Sequence, residues 1–215
     1  QAPGTWQHHR FVIDANALTF TLYIDDMNNP VVSGVDLARP DSGLPTRLVI
    51  RNEGNSADDG YFAIDDITLT VENPIDLTTT FTENFESYPA RVNVDDDADP
   101  LGPWVTVESD GTSTARLRAP GKVQVVDSAT TGIPVRPGGT GSKFLKLEGG
   151  QRAGATIAWG VTPQSDVQIT WWARVPASVV TVGTEANYLR MSLYGAENGN
   201  CLAGDNALLG YGIRS

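Results

Sequence analysis

Residues 18–25 alternate cleanly: Leu18, Phe20, Leu22 and Ile24 face one way, Thr19, Thr21 and Tyr23 the other. Successive side chains of an extended backbone point to opposite faces, so a two-residue period marks a strand with one face buried. The same period places Phe11 and Ile13 on one face, Leu48 with Ile50, and Phe62 and Ile64 opposite Tyr61 and Ala63. Gly43, Pro45, Gly54 and Gly60 punctuate these runs. The pattern predicts strands over 9–14, 18–25, 47–52 and 61–72. Further strands are expected over 104–108, 122–127, 143–148, 155–159, 167–174, 188–194 and 208–213. No segment carries a helical period. Many short strands at about ten-residue spacing argue for an all-β sandwich or barrel.

Composition agrees. Of 215 residues, 40% are hydrophobic, which is enough to fill one large β domain or two small ones. Only 19% are charged, and 22 glycines with 13 prolines supply the turns. The net charge of −11 repels phosphate backbones, so nucleic acid is not an expected partner. Acidity of this kind suits a calcium-loaded extracellular protein or a merely soluble one. Cys201 is the single cysteine, so no intramolecular disulfide and no cysteine-based metal site can form. No stretch approaches the ~18 consecutive apolar residues of a membrane-spanning helix.

Two segments carry a family likeness. Thr5-Trp6-Gln7-His8-His9-Arg10-Phe11-Val12-Ile13-Asp14, followed by Leu22-Tyr23-Ile24-Asp25-Asp26, resembles laminin-G-like and concanavalin-A-like jelly rolls of bacterial extracellular proteins. Asp26 stands where those domains carry the glycine of a tight hairpin. Tyr61-Phe62-Ala63-Ile64-Asp65-Asp66-Ile67 resembles their closing strand, and Glu83-Asn84-Phe85-Glu86 with Tyr88-Pro89 their opening strand. The resemblance implies an antiparallel jelly-roll β-sandwich with its halves in permuted order. Residues 1–74 are the C-terminal half, 75–80 a linker and 81–215 the N-terminal half, together about one sandwich. Three arrangements follow: a circular permutant closing on itself, a slice of a tandem array, or halves exchanged between neighbouring subunits.

The same resemblance implies a structural calcium ion between opening and closing strands, held by Asp65 or Asp66 with Glu83 or Glu86. Calcium takes six to eight oxygens, so backbone carbonyls would have to contribute. Adjacent aspartates on a regular strand lie on opposite faces, so at most one is expected to face such a site. Asp95, Asp97 and Asp99 have the first spacings of an EF-hand loop, but Pro100 and Thr106 stand at its glycine and final acidic positions. His8 and His9 are expected on opposite faces, one packed and one exposed.

Trp171 and Trp172 are candidate carbohydrate-binding residues, because an exposed indole stacks on a pyranose ring. Alternation again puts them on opposite faces, with at least one expected in the core. Trp104, Trp159, Tyr188 and Tyr194 extend the supply of aromatic rings. No Gly-x-Ser-x-Gly elbow is present, nor a Glu-x-Asp-x-x-Glu strand of the kind found in jelly-roll glucanases. The expectation is therefore a non-enzymatic, secreted or cell-surface structural or adhesive module. Its partners would be copies of itself or neighbouring repeats. The alternative is a calcium-stabilised carbohydrate-binding module with glycan partners.

Overall fold

A computed structural model describes residues 4–37, 45–52, 61–73, 76–88, 92–93, 104–106, 123–148, 152–156, 166–174, 188–195 and 207–214. The first five strands are β1 (Trp6–Asp14), β2 (Thr19–Ile24), β3 (Val32–Asp36), β4 (Pro45–Asn52) and β5 (Tyr61–Asn73). There follow β6 (Asp76–Glu83), β7 (Val92–Asn93), β8 (Trp104–Thr106), β9 (Val123–Asp127) and a one-turn helix α1 (Ser128–Thr131). The last are β10 (Lys143–Glu148), β11 (Arg152–Thr156), β12 (Asp166–Arg174), β13 (Tyr188–Gly195) and β14 (Ala207–Arg214). The chain is all-β and antiparallel, as the alternation predicts. The expected strand at 155–159 lies earlier, as β11.

A nine-stranded sheet runs β3-β2-β1-β12-β5-β10-β9-β7, with β6 also paired to β5; a five-stranded sheet runs β14-β13-β4-β11-β8. β5 organises the larger sheet. One of its edges takes β12 along residues 63–72, while the other is shared by β10 at 61–64 and β6 at 67–73. Residues 75–80, expected as a linker, thus belong mostly to a strand. Asn73 pairs with Asp76, and the β-branched Thr78 and Thr79 continue the ladder against Val71 and Thr70.

Alternation decides the core. Phe11 and Ile13 of β1 face the same layer as Val167, Ile169, Trp171 and Ala173 of β12 and Phe62 and Ile64 of β5. Ile50, from the five-stranded sheet, joins the same cluster and is fully buried. The opposite face of the larger sheet carries a smaller cluster, Trp6, Ala63, Val126, Ile133 and Phe144, with half-buried Trp172 against it. Ile133 comes from the loop after α1, which lies over this face. Asp127 caps α1 through Ala129 N (2.7 Å) and also accepts from Ser142 Oγ (2.8 Å), tying the two ends of the loop together. Trp6 Nε1 donates to Pro134 O at 2.6 Å.

The two sequence segments interleave. β12 lies between β1 and β5, and β4 lies between β13 and β11. The main core draws nine side chains from before Pro74 (Phe11, Ile13, Leu22, Leu37, Ile50, Phe62, Ile64, Ile67 and Leu69) and eight from after it. Among the described residues, both core clusters draw side chains from the two segments together.

Candidate functional site

The richest constellation of charge sits on the loop-covered face, where β5 meets β12. Thr68 pairs with Thr170 and Asp65 with Trp172, so Asp66 and Ile67 together oppose the single residue Trp171. This is a β-bulge, and Asp66 within it adopts φ 50°, in the left-handed region. The bulge overturns the expectation that only one of the two aspartates can face a common site. Arg136, reaching from the loop, donates through Nε to Asp65 Oδ2 at 3.2 Å and through a second guanidinium nitrogen to Asp66 Oδ2. Asp65 Oδ1 accepts from the Asp66 backbone N–H at 2.8 Å.

Asp65 is 7% exposed. Burial pushes its carboxyl up to about 7, and nearby Asp66 and Glu86 add to the rise. The Asp66 amide and the Arg136 guanidinium pull the other way.

Trp172 is bordered by this ion pair on one side and by histidine on the other. His8, its cross-strand neighbour on β1, stacks on the indole at 4.8 Å with an interplanar angle of 12°. Arg136 lies 5.8 Å from the ring centroid, within cation–π range. His8 is held below its ordinary pKa, chiefly by burial. On the core face the pattern repeats: His9 stacks on Trp171 at 5.3 Å and 11°, and Phe11 lies 5.5 Å from the same indole. Trp171 is fully buried, which leaves no face of it open to a sugar ring; of the two tryptophans only Trp172 reaches the surface. His9 is also fully buried, and desolvation with the neighbouring His8 lowers its pKa to about 3.

The glutamates serve other partners. Glu83 sits opposite Ile67 at the end of β6; it accepts from Phe85 N and from Tyr88 Oη, both at 2.8 Å. Burial and this bond push the Tyr88 phenol above its ordinary pKa. Glu86 accepts from Lys143 N at 2.7 Å, while Lys143 Nζ donates to the carbonyls of Glu86 (2.9 Å) and Tyr88 (2.7 Å). The opening-strand turn is thereby fastened to the start of β10. A Cβ on Gly141 would come within 2.1 Å of Glu86 Oε1, so glycine there makes room for this carboxylate.

The structure therefore brings Asp65 and Asp66 together and assigns Glu83 and Glu86 to separate contacts. Among the described residues no three His, Cys, Asp or Glu side chains are grouped to hold a metal ion. As arranged, these four carboxylates answer to an arginine, a tyrosine and backbone amides. Arg136, which completes the cluster, carries no motif around it in the sequence. The Asp95–Asp99 loop, Trp159 and Cys201 lie outside the described residues, as do the side chains of Trp104, Tyr188 and Tyr194.

No protein-family model matches the chain, and a search of curated proteins finds no match. No helix among the described residues is long and apolar enough to cross a membrane.

Proposed function

We propose that this chain is a non-enzymatic structural or adhesive module of the extracellular space, built as one jelly-roll sandwich and used as a repeat or subunit of a larger assembly. The observation that carries the reading is the interleaving of its two segments, which makes 1–74 and 81–215 mutually dependent parts of one fold. A small share of charged residues (19%), abundant threonine and turn residues, and a dominant sheet architecture suit a module whose work is to persist and connect. The non-enzymatic part rests on the sequence, which lacks the nucleophile elbow and the paired-acid strand. The side chains that cluster at Asp65 and Asp66 are engaged in pinning a loop to the sheet.

The test is whether the chain unfolds as one unit and is displayed outside the cell. Urea unfolding followed by tryptophan fluorescence and far-UV circular dichroism should give a single coincident transition. Protease treatment of intact producing cells, or assay of their medium, should find the protein outside. Two separated transitions, or a protein found only within the cells, would refute the reading.

A further inference from the structure

Between β9 and β10 the chain leaves the nine-stranded sheet and returns to it beside its point of departure. Asp127 pairs with Lys143 in the ladder. One step further out, Ser128 N–H donates to Ser142 O (2.9 Å) and Ser142 Oγ to Asp127 Oδ2 (2.8 Å), so the base of the excursion is closed whatever lies above it. Within it, Gly132 (φ 70°) and Gly138 (φ 72°) bracket residues 133–137, and both occupy the left-handed region that glycine enters without strain. The bracketed piece is stiff. Pro137 and Gly138 form the corner of a turn closed by Gly139 N–H on Arg136 O at 3.0 Å, and Pro134 fixes a second φ. Its upper side is bare, with Pro134, Val135 and Pro137 exposed. Its grip on the sheet runs through Ile133, Trp6 and Arg136. Ile133 is buried against Trp6, Ala63, Val126 and Phe144; Trp6 Nε1 donates to Pro134 O at 2.6 Å; Arg136 bonds both aspartates of the bulge.

We infer that residues 133–137 are a hinged strap that opens as a unit while the sheets stay folded, with Gly132 and Gly138 as its hinges and Arg136 as its latch. Opening breaks no rung of the β9–β10 ladder, because the closed base lies below the hinges. What is given up is the burial of one isoleucine, one indole hydrogen bond and the guanidinium fork. Local openings draw on the segments held by the fewest such contacts. The latch is within reach of solvent, since the Asp66 side chain is 32% exposed, so water and salt can compete for Arg136 without entering the core. The surface that opening uncovers is specific. Trp6 and Phe144 meet edge to face at 5.7 Å beside Ile133, and Trp172 packs against the same cluster with Arg136 at 5.8 Å from its ring centroid. Lifting the strap joins these three rings into one accessible aromatic face, with Asp65 and Asp66 released at its border.

The Trp6 indole N–H reports on the strap, because the oxygen that holds it, Pro134 O, is part of the strap. Its NMR signal is identified by its loss in Trp6→Phe. In the full chain, its exchange with deuterium should hardly respond to urea below the unfolding transition, since opening the strap exposes little surface. The ladder amides of β5 and β10 should speed up steeply over the same range, as they wait for the whole fold to open. Arg136→Gln should quicken the indole exchange by about tenfold or more, the worth of a charged hydrogen bond. Indole exchange that tracks the β5 and β10 amides in urea overturns the inference, for the strap then opens only with the whole fold. An Arg136→Gln protein whose indole exchanges at the parent rate overturns it too. Should that variant not fold, the parent in about 0.05 M and about 1 M sodium chloride tests the same latch. Faster indole exchange at high salt supports the inference, and an unchanged rate overturns it.

Discussion

Two buried titrations oppose each other across the nine-stranded sheet, and separating them tests how the fold handles its polar interior. His9 titrates near 6.5 when unfolded and near 3 in the fold, so between those values the unfolded state binds more protons. Its contribution to stability is present above pH 6.5 and is lost as pH falls. At pH 5, 1.5 units below the unfolded value, the loss is about 2 kcal/mol at 1.36 kcal/mol per unit. Asp65 behaves in reverse. Its folded pKa of about 7 lies above the ordinary 3.8, so its contribution is full below pH 3.8 and is lost as pH rises through 7. Lowering the pH from 8 to 5 should therefore regain about 2.5 kcal/mol. In the parent the two nearly cancel. Asp65→Asn should uncover the histidine, so that the variant loses about 2 kcal/mol relative to its own value at pH 8 when assayed at pH 5. His9→Phe, which keeps an aromatic ring against Trp171, should gain stability over the same interval. Urea unfolding at pH 8, 6.5 and 5, followed by tryptophan fluorescence, measures both. If the two variants show pH profiles parallel to that of the parent, neither group titrates as its burial demands.

Three further outcomes follow from the packing. Arg136→Leu should cost about 2–3 kcal/mol, below the usual 3–5 for a broken buried pair because the Asp66 side chain is 32% exposed. Arg136→Lys should recover only part of this, since a point charge cannot fork to both aspartates. Gly141→Ala should cost about 1–3 kcal/mol by driving out Glu86, and the penalty should shrink in a Glu86→Ala background; additive effects in that double-mutant cycle would contradict the contact. Trp171→Ala should cost about 3–5 kcal/mol as a large-to-small core change, and Trp172→Ala clearly less, both read from chemical denaturation. Equal losses would mean the phase of β12 is misassigned.

Most strands are legible in the sequence because burial on one face writes itself as a two-residue period. The sequence reading leaves the two tryptophans unassigned; the structure buries Trp171 in phase with Val167, Ile169 and Ala173 and leaves Trp172 on the other face. β3 escapes because Val32–Asp36 is an exposed edge strand, with no buried face to impose alternation. β6 escapes for a different reason. Its threonines have the right propensity, but its place comes from the register against β5, a tertiary fact. The candidate site was half readable. Asp65-Asp66 draws the eye, and the bulge is written there as a slip of phase, since Phe62 and Ile64 share one core with Ile67 and Leu69; what the sequence does not show is that Asp65 and Asp66 meet one arginine. Arg136 lies 70 residues from Asp66 in a loop without motif, so only the folded chain introduces them.

The position of β12 between β1 and β5 sets the timing of folding during synthesis. β1–β5 leave the ribosome first, but the strand that joins β1 to β5 follows about a hundred residues later, a wait of ~5–20 s at ordinary elongation rates. Throughout that interval Phe11, Ile13, Phe62 and Ile64 have no completed core to enter. A nascent chain in this condition keeps those apolar side chains in reach of water and of other chains. It commits to its final shape only when residues 166–174 arrive.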